Sequence, residues 1–126
     1  MRILLDESVP RALGFLIQGH FVRTAQAAGF AGLLNGELLA ALKLAEFDVL
    51  VTFDQNLPYQ QNMRLPVAVI VLVAPNNRVQ TALNFAPLIL NAVDGLCAGQ
   101  LLRLGLPEAR RASNAPEKLT HCQRQD

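Results

Sequence analysis

The feature that most constrains the fold is the alternation of short apolar runs with segments of helical spacing. Apolar runs of strand length occupy residues 2–5, 21–24, 48–53, 67–73 and 101–104. Segments of helical spacing occupy residues 10–19, 36–46 and 79–93, the last with a kink expected at Pro87. Strands that alternate with helices are typical of βα units around a mostly parallel sheet. The sequence therefore predicts an α/β domain, with the most β-branched run, 67–73, as its central strand.

The length of 126 residues fits one domain. The pattern of strands and helices stops after residue 104, so we expect a domain over 1–104 and a C-terminal tail over 105–126. No apolar run reaches the ~20 residues that a membrane span needs. Asp6 follows the start too closely for the apolar region of a signal peptide. We therefore expect a cytoplasmic protein without membrane contact.

Composition bears on the partners of the chain. The formal net charge is +1, so the sequence lacks the broad basic footprint of a tight nucleic-acid binder. Hydrophobic residues make up 52% of the chain. This apolar surplus predicts a surface for self-association, most simply a homodimer, or for another protein. Cys97 and Cys122 lie far apart without metal-ligand spacing, so no structural zinc site is expected.

Three carboxylates stand where the predicted fold would form a crevice. Asp6 follows the first strand and Asp54 follows the third, and ligands of parallel α/β sheets bind beyond the carboxyl ends of the strands. Glu37 lies in the first turn of the helix before the third strand, where the helix dipole favours an anion. Clustered carboxylates repel one another, and a hard cation such as Mg²⁺ or Mn²⁺ relieves that repulsion. The sequence predicts one acidic metal site formed by these three residues.

A metal held by carboxylates suits the hydrolysis of phosphodiester bonds. Such a cation polarises the phosphate, lowers the pKa of a bound water and orients that water for in-line attack. This chemistry requires neither cysteine nor histidine, which agrees with the absence of any clear Cys or His motif. Metal-assisted hydrolysis is therefore the reaction class that the residues favour.

Several ordered motifs resemble the PIN-like family, and most closely its short bacterial branch. They are Asp6-Glu7-Ser8-Val9-Pro10, Gly36-Glu37-Leu38-Leu39, Leu50-Val51-Thr52-Phe53-Asp54-Gln55-Asn56-Leu57, Tyr59-Gln60-Gln61-Asn62 and Ala74-Pro75-Asn76-Asn77-Arg78. The resemblance covers about residues 1–104. It implies a three-layer Rossmann-like PIN fold and a metal-dependent ribonuclease, in some members a toxin with an antitoxin partner.

The resemblance also assigns roles residue by residue. The first aspartate of the family falls on Asp6, its small polar residue on Ser8, its helix acid on Glu37, and its Thr-x-Asp motif on Thr52 and Asp54. These three acids would be the catalytic residues and the metal ligands.

Further candidates surround these residues. Many relatives carry a fourth acid where this chain has Asn56, a neutral and weaker ligand. Glu7 is a candidate second acid beside Asp6, and Ser8 is expected to cap the first helix as well as to contact a phosphate or a metal-bound water. Three arginines are candidates for binding RNA phosphates: Arg11, Arg64 and Arg78.

Two other functions stay open. A PIN-like domain without catalysis, kept as a partner-binding module, is favoured by the near-neutral charge and by Asn56. A phosphoacceptor receiver domain is favoured by the acidic pair Asp6-Glu7 and by Asp54 at the end of a strand. However, no lysine ends the last predicted strand, where a receiver needs an ammonium group to hold the phosphoryl group.

Overall fold

The computed structural model of the chain describes residues 1–33, 35–55 and 65–106. The strands of this part are β1 (Arg2–Leu5), β2 (Phe21–Thr24), β3 (Val49–Thr52), β4 (Ala68–Val73) and β5 (Leu101–Gly105). They form one sheet in the order β2-β1-β3-β4-β5, and every pair of neighbours is parallel. The predicted α/β fold with a parallel sheet is confirmed.

The helical elements are a 3-10 helix (Arg11–Leu16), α1 (Ala25–Ala28), α2 (Asn35–Leu44), α3 (Val79–Leu83) and α4 (Ala86–Val93). They lie on both faces of the sheet. Successive strand residues point to opposite faces, so the apolar strands present core residues to helices on each side. On one face, Ile3, Val49 and Ile70 pack with residues of the 3-10 helix and α4. On the other, Leu4 and Leu50 pack with the apolar stripe of α2. The molecule is thus a three-layer, Rossmann-like arrangement.

The strand order creates a crevice at one place. From β1 the chain moves outward to the edge strand β2, then returns across β1 to form β3 on its other side. The connections therefore leave in opposite directions at the β1–β3 pair, and such a switch point opens a crevice at the carboxyl ends of the strands.

Two predictions about helices are wrong in detail. The first helix is a short 3-10 helix that begins after Pro10, and no side chain caps it. Ser8 instead donates its hydroxyl to the Asp6 carboxylate and accepts from the Phe53 amide in place of a helix amide. The predicted long helix is two helices, α3 and α4, and Pro87 lies at the first turn of α4 rather than at a kink. Proline is well tolerated there because the first-turn amides have no partner within the helix.

The central strand is β3 and not the β-branched segment, which forms β4 beside it. Both strands are buried on both faces. An apolar composition therefore indicates that a strand is buried, but it does not indicate which place the strand takes in the sheet. Strand β5 ends at Gly105, one residue beyond the predicted last strand. The rest of the predicted tail from residue 107 onward lies outside the described residues. Within the described ranges, no helix is long and apolar enough to cross a membrane.

Candidate active site

Asp6 and Asp54 leave the same edge of the sheet from neighbouring strands. Leu5 of β1 is paired with Val51 of β3, and the Asp6 amide donates to the Val51 carbonyl at 3.0 Å. Asp6 therefore continues the ladder by one residue, beside Thr52. Asp54 follows Thr52 by two positions and is half-buried, as Asp6 is. The two aspartates thus flank the predicted crevice.

Three neutral donors hold the carboxylate of Asp6. The amide of Ser8 and its hydroxyl donate to Oδ1, at 2.8 and 2.6 Å. The hydroxyl of Thr52 donates to Oδ2 at 2.5 Å. No arginine, lysine or histidine of the described residues bonds to this carboxylate. Its negative charge is oriented by dipoles and is not balanced by a cation from this part of the chain.

Both hydroxyls also accept hydrogen bonds from the loop that follows β3. Thr52 Oγ1 accepts from the Asp54 amide at 2.9 Å, and Ser8 Oγ accepts from the Phe53 amide at 3.0 Å. Each hydroxyl thus bonds the Asp6 carboxylate and one backbone amide at the same time. We call Asp6, Ser8, Thr52 and the amides of Phe53 and Asp54 the strand-end network. It fixes the two strand ends relative to each other.

Thr52 is the buried polar residue of this network. Its exposed fraction is 0%, although it stands at the end of a strand whose other residues are apolar. A buried hydroxyl must be hydrogen-bonded, because leaving it without a partner costs about 1–3 kcal/mol. Among the described residues, the Thr52 hydroxyl meets that requirement through the Asp6 carboxylate and the Asp54 backbone amide. Its position therefore ties the stability of the strand end to the orientation of the Asp6 carboxylate and to the backbone at Asp54.

Asn77 joins the network from a third loop. Its side-chain amide donates to the carbonyl of Ser8 at 2.8 Å, across the sheet from the loop after β4. In the same loop, Asn76 Oδ1 accepts from the Arg78 amide and from the Thr81 hydroxyl, at 3.0 and 2.8 Å, and so shapes the turn into α3. Sequence reasoning gave Asn77 no role of its own. The sequence signal that could have indicated a role for Asn77 is its place in a turn after a predicted buried strand.

The third predicted acid, Glu37, is more exposed than the two aspartates. Glu37 occupies the first turn of α2 and its side chain is exposed. Among the described residues, no group of three or more His, Cys, Asp or Glu side chains is arranged to hold a metal ion. The convergence of Glu37 with the two aspartates stays a prediction.

The secondary candidates have different surroundings. Glu7 is exposed, and its Oε2 accepts from the Gly32 amide at 2.7 Å, which ties the loop after β1 to the turn before α2. Arg11 begins the 3-10 helix and Arg78 precedes α3, and both are exposed. Two further candidates, Asn56 and Arg64, lie outside the described residues.

The donor set of the strand-end network fits a divalent cation. An ionised carboxylate has about four lone-pair positions, and Asp6 uses three of them, two on Oδ1 and one on Oδ2. One position on Oδ2 is left for a further bond. Carboxylate oxygens held by an outer layer of hydrogen bonds are typical ligands of Mg²⁺ and Mn²⁺. The surroundings of the Asp6 carboxylate therefore fit a ligand of such an ion.

Comparison of the chain with protein-family models, with curated proteins and with solved structures finds no match.

Proposed function

We propose that the chain is a metal-dependent ribonuclease of PIN-like type, which hydrolyses RNA phosphodiester bonds at the carboxyl ends of β1 and β3. The observation that carries this proposal is the carboxylate of Asp6, half-buried and held by three neutral donors with one lone-pair position left. Its fixed orientation suits a ligand for an incoming cation.

Each residue of the proposed site has one task. Asp6 and Asp54 bind Mg²⁺ or Mn²⁺ directly. Thr52 and Ser8 hold the Asp6 carboxylate so that only Oδ2 faces the ion. Glu37 enters the proposal on the sequence pattern alone, as a third acid that binds the ion or orients its water. When bound, the cation would activate a water for attack on phosphorus and offset charge on the leaving oxygen.

The partners follow from this proposal. The substrate is RNA, and the reaction belongs in the cytoplasm. A small protein inhibitor of antitoxin type and a second copy of the chain in a homodimer are the further partners that go with a toxin-like ribonuclease.

A receiver domain is the second candidate. The sheet of this chain has the order β2-β1-β3-β4-β5, and receiver domains have the same order. A receiver additionally needs a lysine at the end of its last strand. Here β5 carries Arg103 and ends at Gly105. Lys43 is the one lysine of the described residues, and it lines a cavity with Met1 and Asp48 at the amino end of the sheet. The chemistry of the site therefore favours the nuclease over the receiver.

The test combines metal binding with cleavage. Mn²⁺ affinity is measured by isothermal titration calorimetry, and cleavage is followed on a labelled single-stranded RNA with Mn²⁺ or with EDTA. We expect Asp6→Asn to reduce both by more than about 100-fold, since loss of an outer-layer partner alone costs 10–100-fold. Asp48→Asn is the matched control. Asp48 lies at the amino end of the same strand pair, where its Oδ2 accepts from the Arg2 amide.

The outcomes separate the candidate functions. Equal Mn²⁺ affinity and equal cleavage in the wild-type chain and in Asp6→Asn would contradict the nuclease. Incorporation of phosphate at Asp54 from acetyl phosphate would identify a receiver. A wild-type chain that binds no Mn²⁺ and cleaves no RNA would leave the partner-binding module as the better account.

A further inference from the structure

A groove runs beside the strand-end network, along the outer side of β1 and the edge strand β2. It consists of two cavities of about 580 and about 250 Å³ that share Arg11, Thr24 and Ala27 as lining residues. One cavity reaches Glu7, the residue after Asp6, and the other reaches Phe15. We call this feature the edge groove. It begins next to the proposed metal ligands and leads away from them across the molecule.

An aromatic ring stands out at the far end of the edge groove. Phe15 is 72% exposed, although it belongs to a 3-10 helix that packs firmly on the sheet through Leu13. The neighbouring Gly14 allows this close packing, because a Cβ atom there would lie 3.2 Å from Val22 Cγ1. The backbone beside Phe15 is therefore held against β2 while the ring faces solvent. A rigidly mounted, exposed phenyl ring is suited to stacking on a flat ligand.

Arg11, a cation that has no partner among the described residues, lines both cavities. Arg11 is exposed and makes no hydrogen bond, ion pair or ring contact with the described part of the chain. The neighbouring arginines differ, since Arg2 stacks over Phe21 and Phe47 and Arg23 stacks over Phe21. The guanidinium of Arg11 thus keeps its five donors for a ligand, and its planar fork matches a phosphate.

The end of the edge groove nearest Asp6 is lined by an acidic residue, Glu7. Glu7 lines the groove there, but its carboxylate is already bonded to the Gly32 amide. Gln26 adds an exposed amide to the same cavity. A phosphate is therefore better placed at Arg11 than at Glu7, and the acidic end is left for the cation and the bond to be cleaved.

We propose that the edge groove binds single-stranded RNA, with a base stacked on Phe15 and a phosphate held by Arg11. A strand bound in this way is led toward Asp6. Stacking of bases on aromatic side chains together with cationic contacts to the phosphates is the usual means of binding single strands without sequence preference, and the edge groove offers one residue of each kind. The choice of RNA rests on the proposed function, whereas the groove and its two anchoring residues rest on the cavities and exposure described above.

Binding is tested without cleavage. The anisotropy of a short fluorescein-labelled single-stranded RNA is titrated with the full chain in EDTA, at several salt concentrations. Phe15→Ala should raise the Kd about tenfold, because stacking of one base contributes that order of affinity, and Phe15→Tyr should restore binding. Arg11→Ala should weaken binding and reduce the slope of log K against log salt by about 0.7, as expected for one lost phosphate contact.

The matched controls are Leu44→Ala and Lys43→Ala. They remove an exposed apolar side chain and an exposed cation from the last turn of α2, away from the edge groove, and should leave the Kd unchanged. Thermal unfolding by circular dichroism checks that all variants fold.

Three results would overturn the edge groove as an RNA site. The first is a wild-type chain that binds no RNA, and the second is equal affinity of the wild-type chain, Phe15→Ala and Arg11→Ala. The third is a wild-type dimer, seen by analytical ultracentrifugation, that Phe15→Ala dissociates, because the face would then join two copies. RNA binding that depends on Phe15 without any Mn²⁺-dependent cleavage would overturn the nuclease and support the groove.

Discussion

The two ends of the β1–β3 strand pair each carry aspartate, but they satisfy it in different ways. At the amino end, Asp48 Oδ2 accepts from the Arg2 amide at 2.7 Å. The Arg2 guanidinium donates to the carbonyls of Glu46 and Ala45 at 3.1 and 3.3 Å, where α2 has ended. At the carboxyl end, the carboxylate of Asp6 is bonded only to Ser8 and Thr52 among the described residues.

At the amino end, the cation of Arg2 joins β1 to the segment that follows α2 and to two aromatic rings. Arg2 lies 4.4 Å from the ring centroid of Phe21 and 4.9 Å from that of Phe47, so its charge is covered by two aromatic rings. Cation–π contacts contribute roughly 0.5–1 kcal/mol each at exposed sites, and the two bonds to carbonyls add to them. The Arg2 guanidinium and one oxygen of Asp48 thus both have partners within the chain.

The carboxyl end holds its aspartate with three neutral donors. These donors orient Asp6 and leave one lone-pair position on Oδ2. At the amino end, a single backbone amide bonds Asp48, and the Arg2 guanidinium is used on carbonyls and aromatic rings. Under the proposed function, the carboxyl end would bind the ion and the amino end would serve folding. Changes at the carboxyl end should therefore alter metal affinity, and changes at the amino end should alter stability alone.

The largest effect among these tests is expected for Thr52→Val. The change keeps the shape of a fully buried side chain but removes the hydroxyl that serves both Asp6 and the Asp54 amide. We expect a loss of about 2 kcal/mol in the free energy of unfolding, since one of the two lost bonds is to a charged group. Mn²⁺ affinity should fall by about 10–100-fold.

Urea unfolding and calorimetric Mn²⁺ titration measure the two effects of Thr52→Val. Thr52→Ser keeps the hydroxyl and is the control, with most of the metal affinity retained. Unchanged Mn²⁺ affinity in the valine variant would show that the strand-end network serves folding only, and the contrast between the two ends would disappear.

An effect of similar size, but on stability alone, is expected for Arg2→Met. Methionine retains apolar contact with Phe21 and Phe47 and removes the cation and its bonds to the two carbonyls that follow α2. We expect a loss of about 1–2 kcal/mol in the free energy of unfolding. Metal affinity and cleavage should not change.

Chemical denaturation measures the stability of Arg2→Met, and the same Mn²⁺ titration serves as the second readout. Arg2→Lys keeps the charge without the planar fork and should fall between the wild-type chain and the methionine variant. A fall in Mn²⁺ affinity in Arg2→Met would show that the two ends are coupled.

The smallest effect is expected for Asn77→Ala. The change removes one exposed hydrogen bond, from the Asn77 side chain to the Ser8 carbonyl, so stability should fall by about 1 kcal/mol or less. Mn²⁺ affinity should fall only a few-fold, because Ser8 keeps its own bonds to Asp6.

Titration of Mn²⁺ into Asn77→Ala, beside Gln80→Ala as an exposed control in α3, resolves this difference. A loss as large as that of Thr52→Val would mean that the loop after β4, rather than Thr52, orients the aspartates.

The sequence predicted more of the fold than of the contacts within the candidate site. The bounds of β1 and β2 agree with the predicted runs because a short apolar segment between turn residues has few other buried conformations. The same reasoning placed Asp6 and Asp54 correctly at strand ends. It missed the partners of Ser8, since the preference of serine for helix caps is a local rule, whereas the Ser8 hydroxyl accepts from the distant Phe53 amide and donates to the charged Asp6 carboxylate.

The sequence by itself determined which segments are strands and which carboxylates follow them, because apolar periodicity acts over a few neighbouring residues. Only the tertiary structure decided that β1 lies against β3, that the Thr52 hydroxyl meets Asp6 from 46 positions away, and that Arg2 is covered by two rings. Such contacts depend on strand order and register, which are set by the packing of the whole sheet and leave no mark on local spacing.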